Sequence, residues 1–470
     1  MAENQPEKPV KSDDPVQVEL YEKRKKLYVR EVHGLFARWR FIAMATLLGF
    51  YYGTPWLTWD DRQAILLDLP ARKFYILGFT FWPQDFVYLT ALLIIAAMAL
   101  FFFTAVAGRL WCGYACPQTV WTEIFMWIER KIEGDRNKQM KRDKAPWTPL
   151  KFYIKGTKHV AWLVFALWTG FTFVGYFTPI KELAHSFITW NLGPWETFWI
   201  FFYSLATWGN AGFLREQVCI YMCPYARFQS AMFDQDTLII SYDKDRGDPR
   251  GSRRRSDDPK EKGLGACIDC GLCTQVCPTG IDIRDGLQYQ CIGCAACVDV
   301  CDSVMEKMDY PKGLVKYTTL NSMNGKPTHP LRFKVVGYGA MILIVTIGVL
   351  SAIALRTPLN MDILRDRSAL YRETDEGLIE NVYTIRIANM DTVDHQYRLS
   401  ANGIDDLVLE SDETEPTLKT GEVTEFTARL QVDPYLIKQR STEVTFHLQA
   451  LDNPDVAVSH DTRFLGPTNL

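Results

Sequence analysis

Two long stretches of this chain have no cysteine: none of its 12 precedes Cys112 and none follows Cys301. A disulfide framework is therefore excluded for the tail, and the clustered thiols read as metal ligation in a reducing compartment. Histidine is scarce. His159 and His185 lie near opposite ends of one apolar stretch and cannot sandwich a single haem, and the other five are scattered in loops and tail. A transmembrane b-haem thus has no visible ligand pair. A formal net charge of −3 carries no excess of one sign and argues against a nucleic-acid binder. The first 40 residues lack an apolar core, so no cleaved signal peptide is expected.

The near-neutral average hides an asymmetry. From Arg356 onward, 21 Asp/Glu face 11 Lys/Arg, a local charge of −10 that leaves +7 on residues 1–355. A basic, apolar front and an acidic, polar tail predict segments in different surroundings. Aromatics at 13% point towards a membrane protein, where Trp and Tyr collect at the interfaces.

Five stretches are free of Asp, Glu, Lys and Arg over roughly the length of a bilayer crossing: Phe41–Trp59, Phe86–Gly108, His159–Ile180, Thr197–Leu214 and Val335–Leu355. The apolar Phe74–Trp82 is too short to cross and reads as an interfacial segment. Residues 1–40 carry nine Lys/Arg and 109–158 carry eleven, against three in 60–85 and Lys181 alone in 181–196. The excess of positive charge predicts a cytoplasmic N-terminus and, after five crossings, a tail on the periplasmic side of a bacterial inner membrane. The cysteines then all lie in or beside segments assigned to the inside.

The polar stretch between the fourth and fifth spans opens with a charged linker, Asp243–Lys262, in which Arg253–Arg255 reads as solvated, with a donor-docking patch as the sharper alternative. Then comes Cys267-Ile-Asp-Cys270-Gly-Leu-Cys273-Thr-Gln-Val-Cys277-Pro278, followed by Cys291-Ile-Gly-Cys294-Ala-Ala-Cys297-Val-Asp-Val-Cys301. Both are C-x2-C-x2-C-x3-C, the spacing of two-cluster ferredoxins, in which three thiolates wrap one 4Fe–4S cube and the fourth reaches the other. This assigns Cys267, Cys270, Cys273 and Cys301 to one cluster, and Cys291, Cys294, Cys297 and Cys277 to the second. Asp302 replaces the proline found at Pro278 but removes no ligand. Structural zinc sites use paired C-x2-C units with a longer gap, which this spacing does not provide.

A second set of cysteines is internally repeated. Cys112-Gly-Tyr-Ala-Cys116-Pro117 and Cys219-Ile-Tyr-Met-Cys223-Pro224 are both C-x3-C-P, displaced by 107 residues at each cysteine and at the proline. At helical spacing, positions i and i+4 share a face, so each pair can close on a soft metal and the two can pool four thiolates. A further iron–sulfur cluster and a Cu(I) site, with Met222 as an added thioether, are both open readings. Helix packing by small residues is the bland one.

The tail has no cysteine and no long helical stripe. Val382–Ala388, Glu425–Val432 and Val444–Ala450 alternate apolar and polar residues between turn-rich stretches, which predicts a small β-sandwich with a docking or stabilising role.

The expected fold is therefore a multi-pass α-helical membrane protein with an inserted two-cluster ferredoxin (α+β) domain and a C-terminal all-β sandwich. Its segments are a basic N-terminal stretch (1–40), a four-helix membrane domain (41–242), the ferredoxin domain (243–331), a fifth transmembrane helix (332–355) and an outer domain (356–470). The paired C-x3-C-P, the linker Arg246-Gly-Asp-Pro-Arg-Gly251, the string Cys277-Pro-Thr-Gly-Ile-Asp-Ile-Arg284, and Arg356-Thr-Pro358 with Asp362-Ile-Leu-Arg-Asp366 together resemble the cytochrome c oxidase accessory proteins called CcoG, FixG or RdxA. The resemblance implies an immunoglobulin-like tail and a role in assembling a cbb-type haem–copper oxidase by reducing Cu(II) to Cu(I). The rivals are a quinol-linked electron-transfer subunit, which a recognisable quinone site would favour, and a non-redox assembly scaffold. The expected partners are membrane lipid, a cytoplasmic electron donor, and the oxidase or copper-delivery proteins. Room is left for a homodimer and none for nucleic acid.

Overall fold

The computed structural model describes residues 26–59, 62–258, 261–391 and 393–467. Lys23–Arg24–Lys25, in the basic N-terminal stretch, lie outside the described residues. The chain divides into two compact units. One comprises Met1–Tyr51, Leu100–Phe173 and Gly193–Val335; the other comprises Tyr52–Ala99, Val174–Leu192 and Val336–Leu470.

The expectation of a multi-pass helical membrane domain is corrected here. Among the described residues, two helices are long and apolar enough to cross a membrane, α2 (Phe86–Ala107) and Phe333–Ala354. The other three stretches fail because the helices do not begin and end where the charge-free runs do. Helix α1 (Leu35–Gly53) starts early enough to take in Arg38 and Arg40, and the chain leaves it through the short helical turn Thr54–Trp56. Pro149–Val174 begins with Lys151, Lys155 and Lys158, and stops six residues before Ile180. The fourth stretch is an α-helix only over Pro194–Thr207, after which the backbone widens into a π-helical turn, Trp208–Leu214. Phe74–Trp82, read as interfacial, supplies two strands of a small antiparallel meander, Ile65–Asp68, Lys73–Ile76 and Phe79–Phe81.

In the first unit, the strands Ile239–Tyr242 and Val315–Thr318 pair antiparallel and bracket the eight-cysteine segment. Between them lie a short helix, Leu272–Gln275, and a longer one, Ala296–Met308. Ile240, Tyr242, Ile283, Val298, Met305, Leu314 and Val315 form their common core. Helix α1 is held to this body at its first turn. The carboxylate of Asp299, itself buried, accepts from the Phe36 N–H at 3.1 Å and the Ala37 N–H at 2.7 Å. It satisfies two donors that a helix N-terminus otherwise leaves unpaired.

In the second unit the tail is a sandwich of two antiparallel sheets. One runs Val408–Ser411, Val423–Val432, Ile379–Asn389, Leu359–Arg365, with Arg372–Glu373 also on the long strand; the other runs Thr417–Leu418, His395–Asn402, Ser441–Ala450, Ala457–Leu465. Period-two alternation turns every second residue inwards. Tyr383, Ile385, Ile387, Leu430, Phe446, Leu448 and Phe464 are almost wholly buried between the sheets. Arg356 ties the meander to the head of the sandwich, donating to the Asp85 carboxylate at 2.7 Å and to the Thr80 carbonyl at 3.3 Å.

Candidate iron–sulfur and thiolate centre

The two ferredoxin motifs fold alike. In each, the residues on either side of the second cysteine are left-handed: Asp269 (φ 52°) and Gly271 (φ 62°) around Cys270, Gly293 (φ 67°) and Ala295 (φ 56°) around Cys294. The residue after it, Gly271 or Ala295, is the cap of the helix that carries the third cysteine. Left-handed residues alternating along a loop turn successive N–H groups to one side, a concavity suited to an anionic group such as an iron–sulfur cube. Ala295 and Asp269 adopt this conformation against the ordinary cost to a residue with a Cβ.

Two cavities follow from this geometry. One is lined by Cys267, Cys270, Cys273 and Cys301 together with Tyr242, Leu272 and Val304. The other is lined by Cys277, Cys291, Cys294 and Cys297 with Ile281, Ile292 and Ala296, and Cys273 borders it as well. Each cavity is apolar apart from its thiols and, in the first, Arg284 and Tyr242 and, in the second, Thr279, whose hydroxyl lies 3.3 Å from Cys277 Sγ. Four soft thiols in a largely apolar lining, with Cys270 exposed at the surface, form a donor set suited to a 4Fe–4S cube. Among the described residues, no three Cys, His, Asp or Glu converge closely enough for a single ion. A cube spaces its thiolates more widely, because iron and sulfide lie between them. Burial pushes the Cys291 and Cys301 thiols up to about 12. Such thiols keep their protons until a metal replaces them.

The C-x3-C-P cysteines are not placed on one helical face. Cys112 lies in the short helix α3 (Leu110–Tyr114), whereas Cys116 is extended (φ −61°, ψ 127°) and caps α4 (Pro117–Glu133). In the second copy, Cys219 sits in a π-helical turn, Val218–Met222, and Cys223 caps the helix Pro224–Met232. Pro117 and Pro224 take the first helical position, where a missing N–H costs nothing. Each motif is thus a helix end followed by a helix start. The four thiols nevertheless share one region. Burial, and then the negative field of Cys116 with Cys219 and Cys223, pushes Cys112 up to about 12. Burial with Cys116 and Cys223 pushes Cys219 up to about 11. Cys112 Sγ also donates to Gln229 Oε1 at 3.2 Å.

The two cysteine sets meet through residues not singled out from the sequence. A Cβ on Gly113 would come within 2.9 Å of the Ile292 carbonyl, 3.0 Å of Cys294 Cα and 3.0 Å of the Gly293 carbonyl carbon. The backbone of α3 therefore packs directly on the second ferredoxin loop, and Cys112 packs beside Ile292 and Cys294. Arg109, buried, donates from Nη1 to the Cys291 carbonyl at 3.0 Å and from Nη2 to the Ala226 carbonyl at 2.5 Å. It joins the second ferredoxin motif to the helix that follows Cys223. A charge at the end of an apolar run and a glycine between two cysteines were the available signals.

A buried ionic network supports the second C-x3-C-P copy. Glu129 Oε2 accepts from Arg215 at 2.8 Å, and Lys158 lies 3.4 Å from Glu129 and 2.9 Å from Glu133. Lys155 pairs with Glu133 at 2.9 Å and Asp143 at 2.6 Å, and Lys26 pairs with Asp143 at 2.8 Å. Arg215 itself is left-handed (φ 45°) at the end of the Trp208–Leu214 turn, four residues before Cys219. Burial opposes ionisation of Glu129, but Arg215, then Lys158 and Lys26, hold its carboxyl down to about 2. His159 packs on Trp162, Trp208 and Phe213. His185 lies in the helix Ile180–Ile188 of the other unit.

Comparison with known proteins agrees with this division. The protein-family model described as a 4Fe–4S dicluster domain matches residues 214–320, one described as a 4Fe–4S binding domain matches 89–134, and one for the IG-like fold at the C-terminal of FixG matches 349–467. Protein RdxA of Cereibacter sphaeroides is 38% identical over 398 residues, covering 82% of this chain and 84% of that protein. The nitrogen fixation protein FixG of Rhizobium meliloti is 35% identical over 408 residues, covering 79% and 78%. A crystal structure of a FixG-related protein from Vibrio parahaemolyticus aligns with 24% of this chain and 98% of its own at 26% identity, TM-score 0.22. The two cysteine motifs, the thiol-lined cavities and the likeness to RdxA and FixG over most of their length make the chain a member of the FixG/RdxA family, an iron–sulfur electron-transfer protein.

Proposed function

We propose that this protein is a membrane-bound reductase that delivers electrons to the Cys112/Cys116/Cys219/Cys223 site, where Cu(II) is reduced to Cu(I) for assembly of a cbb-type haem–copper oxidase. In this reading Cys267, Cys270, Cys273 and Cys301 hold one 4Fe–4S cluster, and Cys291, Cys294, Cys297 and Cys277 hold the other. Each cluster, when bound, stores and passes one electron. The observation that carries the proposal is the backbone contact of Gly113 with Ile292–Cys294, reinforced by Arg109. It puts the second motif, rather than the first, against the C-x3-C-P thiols. Soft thiolates favour Cu(I) over Cu(II), which pulls the reduction forward. A third iron–sulfur cluster at the same thiols is the second reading, because a 4Fe–4S family model spans Cys112 and Cys116. The thiols need a reducing compartment, so the cluster-bearing unit faces the cytoplasm. One crossing by Phe333–Ala354 then puts the sandwich on the periplasmic face.

The test is anaerobic reduction of Cu(II) by purified, dithionite-reduced protein, with a Cu(I)-specific chelator reporting the product. Cys219→Ala with Cys223→Ala should abolish the reaction and keep all the iron if the site takes copper. The same variant should lose iron if the site holds a cluster. Full iron with wild-type copper reduction would refute both readings.

A further inference from the structure

Beside the second ferredoxin motif lies a cavity of about 910 Å³ that no step above uses. It lies within the size range of ligand pockets for small molecules and cofactors. Its walls divide by chemistry. Phe41, Ile42 and Met44 of α1 with Ile124 and Trp127 of α4 are apolar; Arg38, Arg40, Arg130, Tyr114 and Glu123, with Arg30, Glu31 and His33, are polar. Val276, Pro278 and Ala296 also line it, and they flank Cys277 and Cys297 in sequence.

Two polar atoms here are left without partners. The Nε–H groups of Arg40 and Arg130 are buried and make no hydrogen bond among the described residues. A buried donor left unpaired costs about 1–3 kcal/mol, so an acceptor brought by a ligand is favoured. Arg130 also spends Nη2 on Glu123 Oε1, 3.3 Å away, which holds a carboxylate at the same wall. Leu35, Trp39, Phe41, Ile42 and Leu47 of α1 are largely exposed, an apolar approach for a hydrocarbon tail.

We propose that this cavity binds a membrane hydroquinone, the electron donor for the function proposed above, on which this inference rests. Arg40 and Arg130 donate to the ring oxygens, Trp127 and Phe41 cover the ring, and Glu123 accepts a proton from a ring hydroxyl. Oxidation of the hydroquinone to the quinone releases two electrons and two protons. The two 4Fe–4S clusters take one electron each, Glu123 takes the first proton, and solvent takes the second. An anionic phospholipid would satisfy the arginines as well. It has no use for a carboxylate ion-paired to Arg130 or for a lining that reaches the neighbours of Cys277 and Cys297.

The experiment uses the purified, cluster-loaded full chain and a photoactivatable short-tailed azidoquinone, with cross-links located by peptide mapping. The expected result is saturable labelling within residues 29–44 or 113–130. Arg40→Gln should lower it at least tenfold, and Met44→Trp, which fills the apolar end, should do the same. Both variants are compared at equal iron content, and mapping on the unsubstituted protein does not depend on either folding. No saturable labelling, labelling elsewhere, indifference to both substitutions, or displacement by phosphatidylglycerol vesicles but not by unlabelled short-tailed quinone would each overturn the proposal. Dithionite-driven copper reduction on the same preparation separates the two ideas. Copper reduction without quinone labelling sinks only this inference, and labelling without copper reduction sinks the reductase reading, leaves the cavity as a quinone site and favours the quinol-linked rival.

Discussion

Replacing Glu129 by Gln removes one charge from the most buried ionic network in the protein. Arg215 would lose its 2.8 Å partner, Lys158 its 3.4 Å contact and Lys26 its 3.6 Å contact, and among the described residues of the network Glu133 and Asp143 would remain to balance Lys26, Lys155, Lys158 and Arg215. The size of the effect follows from the carboxyl itself. A drop from its ordinary 4.5 to about 2 is worth about 3 kcal/mol at neutral pH, at about 1.36 kcal/mol for each tenfold change in proton affinity. The side chain is 3% exposed, so solvent screening takes little from this figure. It also falls in the range of about 3–5 kcal/mol for breaking a buried ion pair from one side. Because the folded-state value is lowered, the contribution is complete above 4.5 and is lost as pH falls through 2. At pH 3 about 1 kcal/mol of it should remain. For a domain of this size, 1 kcal/mol moves a thermal midpoint by roughly 2–4 °C. A scan of tryptophan fluorescence in detergent should therefore place Glu129→Gln roughly 6–12 °C below wild type at pH 7, with the gap more than halved at pH 3. A midpoint within 2 °C of wild type at pH 7, or a gap that does not narrow in acid, would refute this account of the network.

Gly113→Ala should cost about 1–3 kcal/mol by overpacking, because the new methyl meets only backbone. Iron content should hold while the EPR signal of the second cluster shifts; an unchanged spectrum would show that the contact does not matter. Cys270→Ser should lower the iron of the eight-cysteine segment from about eight atoms towards about four, and a variant with full iron content would contradict the ligand assignment. In the sandwich, His395 lies between Asp452 at 2.7 Å and Asp391 at 3.0 Å. Burial disfavours its charge, but the two carboxylates raise its affinity for a proton above the ordinary 6.5. The stabilisation is therefore present below pH 6.5 and lost as pH rises through the raised value. His395→Gln should erase this slope, and a variant with the wild-type pH profile would contradict the assignment.

The chemistry of this protein is written locally in its sequence. Three cysteines within seven residues can reach one cube whatever the rest of the chain does, so the two ferredoxin motifs, the repeated C-x3-C-P and the alternating strands of the tail can all be read without a structure. The lengths of the apolar helices could not be read so directly. A charge-free run shows which residues avoid charge but not where the helix begins. Arg38 and Arg40 enter α1, and the π-helical turn at Trp208 cuts the fourth run short. The geometry of the C-x3-C-P pairs was also out of reach, since helical spacing suggests one face while Pro117 and Pro224 start new helices. Only the tertiary structure brings Gly113 against Ile292–Cys294, links Arg109 to Cys291, and joins α1 to Asp299. These partners lie far apart along the chain, and no local preference encodes contacts that depend on how separate helices and loops pack.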